Sequence, residues 1–342
     1  MNVGILSGGG DAPGINAVIR AVVRRGIQAY GYEIIGIRDG WQGTLDNNFV
    51  SLDNSAVSGI LPRGGSILGT SRTNPFAREE GGEKVQENLR KARVEAMVVI
   101  GGDDTLGVAH KLAEIGVKCV GVPKTIDNDL RGTDYTFGFN TAVTIATEAL
   151  DRIHTTAESH HRVMILEVMG RYTGWIALEA GLAGGADVIL LPEIPFNLDE
   201  VCELIKRRKK RGRNFSVVVV AEGAKPKGGA EIIYGDGVDE FGHVRLGGVG
   251  YYLGREIERR IKVETRVVVL GHLQRGGSPT PFDRNLATRF GIAAIDLVHE
   301  NRFDYMVALH GNKIESIPLE KVIGKRKTVD LELYKIASVF FG

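Results

Sequence analysis

The sequence predicts an α/β protein of two lobes, each built on a mainly parallel sheet, with a cleft between them. Short apolar runs alternate with helix-like stretches along the chain. The runs, such as Ala96-Met97-Val98-Val99-Ile100, are continuous rather than alternating, as expected of strands covered on both faces. A length of 342 residues suffices for two separate cores.

In chain order, residues 3–6 read as a buried strand, followed by a glycine loop and a helix over 15–29. Residues 33–37 form a second strand. Residues 96–100 make a strand leading into a helix over 106–115, and 118–122 the next strand. A long helix spans 141–159. Then come a strand at 163–168, a helix at 173–183, a strand at 188–191, a helix at 198–211 and a strand at 215–221. Residues 223–248, rich in glycine and charge, read as a loop or hairpin insertion. A helix over 251–261, a strand at 266–270 and a helix over 281–300 follow. The junction between lobes is expected near Phe137-Gly138-Phe139-Asn140, where a glycine precedes the long helix.

Composition narrows the function. Apolar content of 43%, charged content of 25% and a net charge of +1 describe an ordinary globular chain with no bulk electrostatic case for nucleic acid or membrane binding. The basic run over 206–213 lacks interleaved aromatic residues and reads as a solvated helix face or a subunit-boundary anion contact. Cys119 and Cys202 lie in apolar, element-like runs and read as packed thiols of a reducing compartment. The first residues run straight into a strand without a signal-peptide pattern, and no apolar stretch is long enough to span a membrane. The 46 glycines gather after strands, where backbone must turn or approach a ligand.

Two segments concentrate the chemistry. Gly101-Gly102-Asp103-Asp104-Thr105 and Pro123-Lys124-Thr125-Ile126-Asp127-Asn128-Asp129 each follow an apolar run, so each is expected in the loop beyond a strand. In open parallel sheets, ligands bind beyond the carboxyl ends of the strands. Four aspartates and a lysine there suit phosphate and metal chemistry. Asp103 is placed to hold Mg²⁺ directly or through water; the alternative is a helix N-cap within Asp103-Asp104-Thr105, and both hold at once if Thr105 or Asp104 caps while Asp103 faces the metal. Asp127 and Asp129, two apart in an extended loop, would point the same way, one as a base and one organising metal or loop; an Asx-turn is the alternative. The loop Ser7-Gly8-Gly9-Gly10-Asp11 opens a helix and offers an anion seat, or simply a tight turn. Arg72 is a candidate clamp on a transferring phosphoryl group. Arg162, Arg171, Glu222, Arg266, His272, Gln274 and Arg275 recur at strand termini. They supply guanidinium groups for phosphate and a carboxylate for hydroxyls, unless each simply forms a salt bridge.

On these segments the chain resembles the 6-phosphofructokinase family, through residues 8–16, 101–105, 123–129, 168–174 and 271–284, in that order. The resemblance implies the phosphofructokinase fold of two three-layer, Rossmann-like lobes. Residues 1–138 with about 274–322 would form the phosphoryl-donor lobe, and 139–273 with about 323–342 the fructose 6-phosphate lobe. It implies Mg²⁺-assisted phosphoryl transfer to the 1-hydroxyl of fructose 6-phosphate by a cytoplasmic homodimer or homotetramer. Asp127 then matches the general base, Asp103 the Mg²⁺ ligand, Gly10 a backbone contact to the donor and Arg72 a stabiliser of the transferring group. Thr125, Met169, Gly170, Arg171, Glu222, His272 and Arg275 match sugar-phosphate contacts, and Arg162 and Arg266 residues lent by a neighbouring subunit.

Two departures refine that expectation. Members that use ATP carry glycine where this chain has Asp104 and Lys124. An aspartate there would fill the nucleotide's space and repel its α-phosphate; like charges ~4 Å apart cost on the order of 1–4 kcal/mol depending on screening. Lys124 would instead neutralise a compact anion, so pyrophosphate is the expected donor and an ATP-dependent enzyme the alternative. Arg20 and Arg24 match an effector cluster, but Asp53 and His154 stand where further arginines are expected, which implies weakened effector control.

Overall fold

The computed structural model describes residues 1–229, 233–238, 241–242 and 244–342. They form two compact units. Met1–Thr141 and Arg275–Arg326, with residues 241–242, make the first. The described residues of Ala142–Val238 and Val244–Gln274, with Lys327–Gly342, make the second.

The first unit contains, in chain order, β1 (Asn2–Ser7), α1 (Ile15–Tyr30), β2 (Glu33–Ile37), α2 (Gly40–Asp46), β3 (Phe49–Leu52), α3 (Gly81–Lys91), β4 (Ala96–Gly101), α4 (Asp103–Glu114), β5 (Cys119–Thr125) and β6 (Phe137–Gly138). Helix α5 (Phe139–His160) then carries the chain into the second unit. That unit holds β7 (Val163–Val168), α6 (Trp175–Ala183), β8 (Val188–Leu190), α7 (Leu198–Lys210), β9 (Ser216–Ala221), β10 (Ile233–Val238), β11 (Val244–Leu246), α8 (Val249–Ile261) and β12 (Thr265–Val269). Back in the first unit come α9 (Pro281–His299), β13 (Tyr305–His310) and β14 (Lys313–Pro318). Helix α10 (Leu331–Ser338) belongs to the second.

The first sheet has the order β14-β13-β5-β4-β1-β2-β3, with β6 added beside the end of β5. Its interior ladders are parallel; the edges β3 and β14 are antiparallel. Alternate residues of one strand feed two cores. Val98 and Ile100 pack with Val18, Val22, Phe290 and Ile295 of α1 and α9. Met97 and Val99 pack with Val85, Leu89, Leu106 and Leu112 of α3 and α4. The continuous apolar run in β4 follows directly from this two-sided burial. The second sheet, β12-β7-β9-β8, is parallel throughout. The expected insertion after Gly223 contains the antiparallel pair β10–β11; residues 230–232, 239–240 and 243 within it lie outside the described residues. Both cysteines are buried free thiols.

Two expectations are corrected. Helix α4 begins at Asp103 rather than near residue 106, with Gly102 at its cap position, so neither Asp104 nor Thr105 caps it. Strand β5 runs on to Thr125, because Lys124 and Thr125 pair with Phe137 and Gly138 of β6. Lys124 is therefore a buried strand residue, not a loop residue.

Candidate active site

The glycine loop after β1 is stitched to its surroundings. Gly8 N–H donates to the Ile100 carbonyl and Gly9 N–H to the Ser71 carbonyl, each at 2.9 Å. The Thr70 hydroxyl donates to the Gly9 carbonyl at 2.7 Å. The segment Thr70-Ser71 thereby sets the exposed Arg72 beside the loop. The expected anion seat narrows accordingly to the amide of Gly10 and those beyond it, since the first two are spent within the protein. A Cβ on Gly10 would stand 2.8 Å from Nη1 of Arg275, so the guanidinium would have to shift to make room for it.

Lys124 approaches the loop from beneath. Its Nζ donates to the Gly8 carbonyl at 2.8 Å and to that of Gly10. Burial pushes its ammonium down to about 7; the charges of Arg275 and Arg72 act in the same direction, and those of Asp11 and Asp129 oppose them. Arg275 also donates to the Asp11 carbonyl at 3.2 Å. Three cations thus converge on one loop; Arg275, the last residue of the turn Gly271–Arg275, is grouped with the first unit.

The carboxylates converge likewise. Asp103 and Asp104 lie in the first turn of α4, where the helix N-terminus favours negative charge. One oxygen of Asp103 accepts the Gly324 N–H at 2.9 Å. Beyond β5, Thr125 Oγ1 accepts the Asp127 N–H at 3.1 Å. The segment is not extended, as the i, i+2 argument required: Asn128 has a φ of 51°. Asn128 is buried, and its Oδ1 accepts the Thr136 N–H at 3.1 Å, which holds this left-handed turn. Asp129 is held well above the usual carboxylate range, first by burial, then by the charge of Asp127, with Asp103 adding to it. Repulsion among these aspartates is what a hard cation relieves. Among the described residues no three carboxylate, imidazole or thiolate groups are gathered tightly enough to hold a metal by themselves. That donor set fits Mg²⁺, which keeps much of its shell as water and substrate phosphate oxygens rather than protein ligands.

The second unit gathers another set at the carboxyl ends of β7, β9 and β12. Glu222 N–H donates to the Val168 carbonyl at 2.9 Å and Gly223 N–H to the Gly170 carbonyl at 3.1 Å. A Cβ on Gly223 would fall 1.9 Å from the Arg171 carbonyl oxygen. Met169, Gly170, Arg171 and Glu222 therefore occupy two fused loops. His272 is exposed in the short 3-10 turn Gly271–Arg275 that follows β12. Arg162 and Arg266 are elsewhere: they flank the amino ends of β7 and β12 and share Glu264, Arg162 Nε lying 2.8 Å from one of its oxygens and Arg266 Nη2 contacting the other. With β7 six residues long, roughly 20 Å separates them from the Met169 loop.

The family model described as phosphofructokinase matches residues 2–298. The chain belongs to the phosphofructokinase family. A pyrophosphate–fructose 6-phosphate 1-phosphotransferase of Streptomyces coelicolor is 58% identical over 343 residues, covering 100% of both chains. An ATP-dependent 6-phosphofructokinase 2 of Clostridium perfringens is 54% identical, covering 96% of this chain and 94% of its own. A solved pyrophosphate-dependent phosphofructokinase from Marinobacter aquaeolei superposes with a TM-score of 0.83 at 25% identity, over 97% of this chain and 86% of that one. The charged residues of the phosphofructokinase motifs were legible in the sequence; Asn128 and Glu264, whose polar side chains hold others in place, were not.

Proposed function

We propose that this chain transfers a phosphoryl group from pyrophosphate to the 1-hydroxyl of fructose 6-phosphate, giving fructose 1,6-bisphosphate and phosphate. The observation that carries the donor assignment is the buried Lys124 ammonium fastened under the glycine loop, with Asp104 in the first turn of α4. That pair offers a compact cationic seat and an acidic side chain where a nucleotide would need space. Relatives named for pyrophosphate at 55–58% identity support the same reading.

In this reading Asp127 orients the sugar hydroxyl and takes its proton as the oxygen–phosphorus bond forms. The bridging bond of pyrophosphate breaks and phosphate leaves. Arg72 and Lys124 offset charge on the group in transfer. Asp103 would hold Mg²⁺, which would supply positive charge to offset that of pyrophosphate. Thr125, Met169, Gly170, Arg171, Glu222, His272 and Arg275 hold the sugar phosphate. Arg162 and Arg266 serve the site of a neighbouring copy; their location at the far end of the second sheet supports this. Among the described residues no helix is long and apolar enough to cross a membrane, and we propose a cytoplasmic homo-oligomer.

A coupled assay with each donor tests the proposal. Pyrophosphate should support the forward reaction and phosphate the reverse one, with kcat/KM for ATP at least about 100-fold lower than for pyrophosphate, a gap of the size a lost fit and an added like charge produce. Strong turnover with ATP would overturn it.

The state of Lys124 makes donor binding pH-dependent. Below about pH 7 the ammonium is present before the ligand arrives. Above that, an arriving polyanion must draw a proton onto the amine. Affinity therefore falls as pH rises from about 7 toward the ordinary lysine value. Calorimetric titration with pyrophosphate above neutrality, in two buffers of different ionisation heat, should register proton uptake that Lys124→Met removes. Equal uptake by both proteins would refute the assignment.

A further inference from the structure

Gln274 is fully buried at the point where the β7–β12 ladder stops. The last registered pair is Val269 with Glu167, and the Leu270 N–H still donates to the Glu167 carbonyl at 3.0 Å. Beyond it the two chains diverge, one into Met169-Gly170-Arg171, the other into the turn bearing His272. The Gln274 carboxamide spans that gap. Its Oε1 accepts the Met169 N–H at 3.3 Å and its Nε2 donates to the Gly271 carbonyl at 3.0 Å.

We propose that Gln274 is a positioning residue for the sugar-phosphate site, its side-chain amide acting as a substitute peptide that extends the ladder one step and locks the Met169 loop to the His272 turn. This rests on the reading of Met169, Arg171 and His272 as sugar contacts. The role requires an acceptor and a donor on one rigid plane, which among uncharged side chains of this length only glutamine offers. An aliphatic replacement of similar shape leaves a buried N–H and a buried carbonyl without partners, and the two loops are free to separate.

Steady-state kinetics of the full-length protein test it. Gln274→Met should raise KM for fructose 6-phosphate about tenfold, the size of one lost buried hydrogen bond, with KM for pyrophosphate unchanged and kcat reduced less than about threefold. Unchanged sugar KM, or equal losses for both substrates, overturns the proposal. Gln274→Glu gives a second readout independent of folding yield. A carboxylate keeps the acceptor for Met169 but cannot donate to Gly271; once protonated it can. Its sugar KM, taken as a ratio to the parent at each pH, should return toward one as pH falls, and a flat ratio counts against the idea. Arg171→Ala and His272→Ala separate the two layers. If both leave sugar KM unaltered, the site reading itself fails. If they raise it and Gln274→Met does not, only the positioning role fails.

Discussion

Asp127→Asn should lower kcat by about 10³-fold in both reaction directions while changing either KM less than about threefold, because a general base acts on the transition state and little on ground-state binding. The side chain keeps its size and its place after the Thr125 turn, so the change isolates basicity. A loss below tenfold would remove Asp127 from the role. The same variant tests the assignment of Arg162. Mixing it with Arg162→Ala under conditions of subunit exchange should restore about a quarter of parental activity in a two-fold assembly, since half the pairs are mixed and each mixed pair rebuilds one intact site. No recovery would argue that Arg162 serves its own chain.

The second large effect is an exchange of donor. The double variant Asp104→Gly with Lys124→Gly should lose at least about 100-fold in kcat/KM for pyrophosphate and gain measurable turnover with ATP, as two charged hydrogen bonds and a blocking carboxylate disappear together. Lys124→Gly alone should lose pyrophosphate use without gaining ATP. It leaves the Gly8 and Gly10 carbonyls without their donor and retains Asp104. Asp104→Gly alone should cost helix α4 about 0.5–1 kcal/mol by propensity and lost dipole complement, visible as a small drop in Tm. A double variant that keeps its parental preference would dissociate these two positions from donor choice. The measurement is a donor-competition assay on all four proteins.

The alternation of strands and helices was legible because two-sided burial writes itself as unbroken apolar runs, as in β4 and β9. The hairpin β13–β14 was missed although Gly311-Asn312, a two-residue link, joins its strands. Its outer strand is half exposed and too polar to stand out beside the core runs. Lys124 was identified as a charged group for a compact anion, yet its place inside a strand depends on pairing with β6, a contact thirteen residues away that no local pattern announces. The Asp127–Asp129 geometry failed for a similar reason. The left-handed turn at Asn128 is imposed by its bond to Thr136, not by the aspartates themselves.

Arg162 and Arg266, gripped together by Glu264, face away from the loops of their own chain. Under the proposed sharing, a sugar phosphate seated in one protomer also grasps the next, so ligand occupancy and self-association become one linked equilibrium. Specific activity would then fall on dilution, and saturating sugar would hold the particles together against it.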